Sequence, residues 1–183
     1  MQKKLLAAAM VFAGVWAATA QAAQTGQIKI TGKVIDTTCT VDAGSTSVNV
    51  PLSPIDKSLL QNPGSYSSVS TPFTVKVTGC FAGKQETNAG VVSMAFVADS
   101  NVDMNGNLVN SGSASKVAVQ LLDKAQKPVN IQSDNYTAQI ARGEPVTDSG
   151  NVDLKYYARY YSAEGAATAG SVSALANFQL VYQ

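Results

Sequence analysis

The sequence predicts an all-β fold, an antiparallel sandwich, and three observations lead there. Almost every patterned segment alternates apolar and polar residues with period two, as a half-buried strand does. These segments are short and regularly interrupted by turn clusters such as Asn62-Pro63-Gly64, Asn105-Gly106-Asn107 and Ser149-Gly150. The chain of 183 residues, 45% hydrophobic and 14% charged, can bury one sizeable core. It shows neither an internal repeat nor a linker that would divide it.

In chain order, the first element is a leader. Lys3 and Lys4 form a positive start, Leu5 to Ala18 an apolar stretch too short and poorly flanked for a membrane span, and Ala20-Gln21-Ala22 a small-residue cleavage site. Residues 1–22 therefore read as a signal peptide, with Ala18-Thr19-Ala20 as an alternative site. The only tryptophan, Trp16, leaves with it. Losing Lys3 and Lys4 leaves 11 Lys and Arg against 12 Asp and Glu, a formal net charge of −1. Such a balance gives no reason to expect nucleic acid or acidic lipid as a partner.

The alternating segments follow. Ile28, Ile30, Gly32 and Val34 share one face, with Lys29, Thr31 and Lys33 on the other. Val48 and Val50 repeat the pattern before Pro51. A short helical turn is expected over 54–61, with Ser53 as cap, Pro54 at the first position and Asn62-Pro63 as the stop. Phe73, Val75 and Val77 alternate again, and 91–98 is apolar almost throughout, as a well-buried strand is. Val117, Val119 and Leu121 form the next strand, followed by expected strands over 136–140 and 152–161. The series closes with Val172, Ala174, Ala176, Phe178, Leu180 and Tyr182.

Chemistry is restricted by what is missing. The sequence has no histidine, which excludes Ser/His/Asp and Cys/His nucleophiles and all imidazole metal sites. Its two cysteines, Cys39 and Cys80, read as one disulfide in an exported protein, because metal or redox thiols call for a C-x-x-C spacing or histidine partners. The acidic residues are too scattered for a glycosidase pair. Asn101 to Leu108 partly resembles a Ca²⁺ loop but has Gly112 where the twelfth-position carboxylate belongs, so it reads as a polar hairpin turn. Asn135-Tyr136-Thr137 spells a glycosylation site, a three-residue pattern that is weak on its own. Tyr156, Tyr157, Tyr160 and Tyr161 split across two strand faces and read as packing residues, with a sugar platform as the alternative. No catalytic residue, cofactor or metal is expected, and the protein is not read as an enzyme.

Two ends carry the functional reading. The last strand reaches the penultimate residue, so its outer edge needs a cover from elsewhere. The first strand starts at a free terminus and lies partly outside the loop closed by the disulfide. It can pair within its own sandwich or add to another subunit's sheet. Burying Ile28, Ile30 and Val34 there contributes roughly 5–8 kcal/mol.

These residues resemble the subunits of chaperone–usher fimbriae, specifically the type 1 fimbrial major pilin family. The resemblance rests on Gly26 to Cys39, on Pro72 to Gly79 leading into Cys80, on Val117 to Asp123, on Tyr157 to Tyr161, and on the ending from Gly170 through Phe178 to Gln183. It implies an immunoglobulin-like sandwich lacking its last strand (the pilin fold) and completed by donor-strand exchange. Residues 23–36 become an N-terminal extension and 37–183 the pilin domain. Ile28, Ile30 and Val34 become donor residues, with Gly32 allowing a close approach. Gly170, Phe178, Leu180, Tyr182 and Gln183 become groove or chaperone contacts. The implied partners are neighbouring pilin subunits, a periplasmic chaperone and an outer-membrane usher, without nucleic acid or a small-molecule substrate. The implied product is a surface fibre for cell adhesion. A minor or adaptor pilin is the nearer alternative, and a secreted carbohydrate-binding sandwich the more distant one.

Overall fold

A computed structural model of the chain describes residues 27–31, 39–80 and 90–183. The chain divides into two units, Met1–Ile35 and Asp36–Gln183. In the first, residues 27–31 carry no regular secondary structure, and Ile28 and Ile30 are each 90% exposed. The signal peptide, Gly32 and Val34 lie outside the described residues.

The described residues of the second unit form nine strands: β1 (Thr40–Val41), β2 (Ser65–Tyr66), β3 (Thr71–Thr78), β4 (Val91–Phe96), β5 (Leu108–Val109), β6 (Ala118–Leu122), β7 (Glu144–Pro145), β8 (Val152–Ser162) and β9 (Phe178–Tyr182). One sheet has the order β1-β3-β8-β6-β5, with β2 also on β8, and the other the order β7-β4-β9. All pairings are antiparallel. Period-two alternation decides what faces inward. Val75 and Val77 of β3, Val119 and Leu121 of β6 and Leu154 and Tyr156 of β8 meet Val92, Met94 and Phe96 of β4 in one core. Phe96 packs edge-on against Tyr156 at 5.3 Å, which joins the sheets at their centre. The fold is an all-β, immunoglobulin-like sandwich, and Cys39 is bonded to Cys80 as expected.

Three local expectations need correction. The 136–140 segment is not a strand but the first turns of a helix, α1 (Tyr136–Ala141), because Asn135 accepts the Ala138 N–H and the segment holds good helix formers. Five residues are too few for period two to exclude this. The helical turn begins later than Pro54: it is a 3-10 turn over Lys57–Leu60, capped by Asp56 rather than Ser53 through its bond to the Ser58 N–H. The alternating residues 48–50 and 172–176 belong to no assigned strand. Their position supplies the reason.

Candidate functional site

The segment 171–183 runs as one extended edge. Three of its odd-numbered residues are paired in the approach to β9: Ser171 O accepts from Ala114 N at 3.0 Å, Ser173 O from Ser111 N at 2.8 Å, and Asn177 O from Val97 N at 2.8 Å. At the far end Gln183 and Val91 exchange both backbone bonds, at 3.0 and 3.2 Å. Antiparallel alternation then turns the N–H and C=O groups of Val172, Ala174, Ala176, Phe178 and Leu180 to the opposite side. No further strand of the described residues meets them there.

A second rim faces this edge. Residues 48–51 lie in no helix or strand, and among the described residues the backbone of 47–51 forms no hydrogen bond. Val50 and Leu52 nevertheless pack against the core. Between the rims opens a cleft of about 760 Å³, floored by Val75, Met94, Phe96, Val119, Leu121 and Ala158. No charged residue lines it. A second cleft of about 710 Å³ continues past Tyr160 and Val172, which border both, toward Leu60, Val117 and Ala167. Burial pushes the Tyr160 phenol above its ordinary pKa, in keeping with this dry partition. At the second mouth stand Asp56 and Lys57, and the Ser58 N–H holds the Asp56 carboxyl below its usual range.

Two unpaired backbone edges over an apolar floor are suited to one thing: accepting an extended peptide. Each edge presents unused donors and acceptors, and the floor presents apolar pockets at strand spacing. From Val172 to Phe178 the edge spans about 20 Å at 3.3 Å per residue, room for a strand of about six residues. The apolar floor carries no acid, base or nucleophile.

The residues expected at this site are placed as follows. Phe178, Leu180 and Tyr182 lie half-buried against the core, and Phe178 lines the first cleft. Gly170 lines the second, where an added Cβ would stand 2.4 Å from Ala114 N, so only glycine permits the close approach to 113–114. Gln183 is fixed to β4 by its backbone. Sequence reasoning missed the opposite rim at 47–52 and the Tyr160–Val172 partition. One signal was present: Pro51 ends the alternating Val48 and Val50, and proline in a strand pattern marks an edge. The tyrosines divide by face, Tyr156 in the core and Tyr157 and Tyr161 outward. Asp103 accepts the N–H groups of both Asn105 and Asn107, so its carboxylate serves the turn.

The profile described as "Fimbrial protein" matches residues 28–183. An F17 fimbrial protein of Escherichia coli is 35% identical over 168 residues, covering 90% of this chain and 91% of its own. The major fimbrial subunit SMF-1 of Stenotrophomonas maltophilia is 34% identical over 164 residues, covering 86% and 92%. The crystal structure of the P pilus rod subunit PapA superposes with a TM-score of 0.58 at 22% identity, over 79% of this chain and 99% of PapA. The sequence match, the incomplete sandwich and the open groove agree: this chain belongs to the fimbrial protein family and is a structural subunit of the chaperone–usher type.

Proposed function

We propose that this subunit polymerises into a surface fibre by strand donation, its 23–36 segment completing the sandwich of a neighbouring copy. The single observation that carries the reading is the pair of unpaired edges, 47–51 and 172–180, over an apolar floor. The donor residues match what such a groove accepts. Ile28 and Ile30 are bare, and with Gly32 and Val34 they repeat at the two-residue spacing of one strand face. Until a neighbour arrives, a periplasmic chaperone covers the same edge, with Gln183 as a contact, and an outer-membrane usher exports the polymer. The fibre is the adhesive organelle of the cell surface, and no catalytic step is assigned to the subunit.

The test is Ile30→Asp. A buried aspartate without a partner costs several kcal/mol, so the donor should fail while the subunit still folds on its chaperone. Wild-type shear fractions should give SDS-resistant ladders before boiling, and the variant none. Ladders of normal length from the variant would overturn the donor assignment.

A further inference from the structure

On the outer face of the larger sheet, alternation along β8 turns Tyr157, Arg159 and Tyr161 away from the buried Tyr156 and Ala158. The register sets Gln120 of β6 beside Arg159 and Tyr66 of β2 beside Tyr161. Gln120 Oε1 accepts from Arg159 Nε at 3.0 Å and from Nη2 at 2.7 Å. Gln120 is itself buried and donates to Asn107 Oδ1 at 3.1 Å. Arg159 Cζ lies 3.6 Å from the centre of the Tyr66 ring. The guanidinium is thus held in one plane entirely by neutral groups.

Among the described residues its charge has no counterpart. Of the two arginines in the sequence, Arg142 forms a two-bonded pair with Asp134, at 2.6 and 2.7 Å. Arg159 meets no carboxylate among the described residues. Partial burial lowers its pKa, yet a guanidinium keeps its proton at any physiological pH. With Nε and Nη2 turned to Gln120, the Nη1 side of the guanidinium is the one left for an anion, and a carboxylate suits it.

We propose that Arg159, with Tyr66 and Tyr161, forms a binding site for the carboxylate of an acidic sugar. Arg159 covers one face of the Tyr66 ring, yet Tyr66 remains 50% exposed, so a pyranose ring can lie along its open edge while its carboxylate meets the guanidinium. One such site on each subunit of a polymer turns a weak single-site affinity into avidity. Neither the groove nor strand donation uses these side chains.

Saturation-transfer NMR on the purified full chain, assembled or monomeric, tests this with glucuronate as the probe. Glucuronate should receive transfer at least tenfold stronger than glucuronic acid methyl ester, which keeps the ring and loses the charge. Arg159→Gln should reduce the glucuronate signal to that of the ester, and Tyr66→Leu should weaken it several-fold. Should either variant misfold, the acid-to-ester comparison on the wild type still decides. Equal transfer to acid and ester, an unchanged signal in Arg159→Gln, or transfer to a poly-glutamate peptide but none to glucuronate overturns the proposal.

Discussion

At the scale of single residues, polar contacts pin the chain at a few points around the groove. Asp99 Oδ2 accepts from Asn177 Nδ2 at 2.8 Å, where the edge passes from one sheet to the other. That bond, with the Asn101 N–H, holds the Asp99 carboxyl below its ordinary pKa. A carboxyl whose pKa is depressed by folding contributes stability above its unfolded pKa and loses it as pH falls through the folded value. A carbon-13 titration should therefore place Asp99 below an ordinary aspartate, and Asn177→Ala should return it toward the ordinary range. Arg142 makes the complementary case. Burial pulls its pKa down, but Asp134 overrides this and raises it. Their side chains are only 11% and 3% exposed, so Asp134→Ala leaves a buried cation and should cost about 3–5 kcal/mol in a denaturant titration. Gly170→Val should destabilise too, since its Cβ has no room beside Ala114.

At the scale of elements, both rims alternate as strands do in sequence, and each leaves a backbone side without a partner strand among the described residues. This explains what the sequence made legible. Val172, Ala174, Ala176 and Phe178 alternate as a strand, and Val48 and Val50 do the same. Side-chain pattern reports which face is buried, not whether a neighbour supplies the ladder, so the unpaired state was invisible until the strands were placed. The 136–141 helix was misread because a short run with one capping asparagine satisfies both periods. Hydrogen exchange should separate the rims from the rest. Amides of 47–50 and of Val172, Ala174 and Ala176 should exchange fast in the monomer and become protected in the fibre, while the central β8 amides stay slow in both.

At the scale of the whole molecule, the subunit has most of a core and lacks its closure. Tyr156, Met94 and Leu154 are among the largest fully buried side chains, and both sheets contribute to them. The Cys39–Cys80 bond closes a 41-residue separation and should contribute roughly 4 kcal/mol in the chain-entropy account. Reduction should lower the unfolding midpoint accordingly. The class of fold, the disulfide and the inner faces of the main strands were readable because alternation and cysteine count report them directly. Of the residues expected at the groove, Phe178 lines the first cleft and Gly170 the second, while the other rim, 47–52, carries too short a pattern to be told from a loop.

The most direct measurement is thermal unfolding of the mature Ile30→Asp subunit, which cannot use its own extension, with and without a synthetic peptide of wild-type residues 23–36. A peptide that binds only the folded groove stabilises it by mass action, by about 4 kcal/mol at a thousandfold excess over its dissociation constant. For a domain of this size that raises the midpoint by roughly 10 °C. A shift of that order, lost when the peptide also carries Ile30→Asp, is the predicted result. A monomer that already melts at high temperature and gains nothing from the peptide would contradict the claim that the sandwich is one strand short.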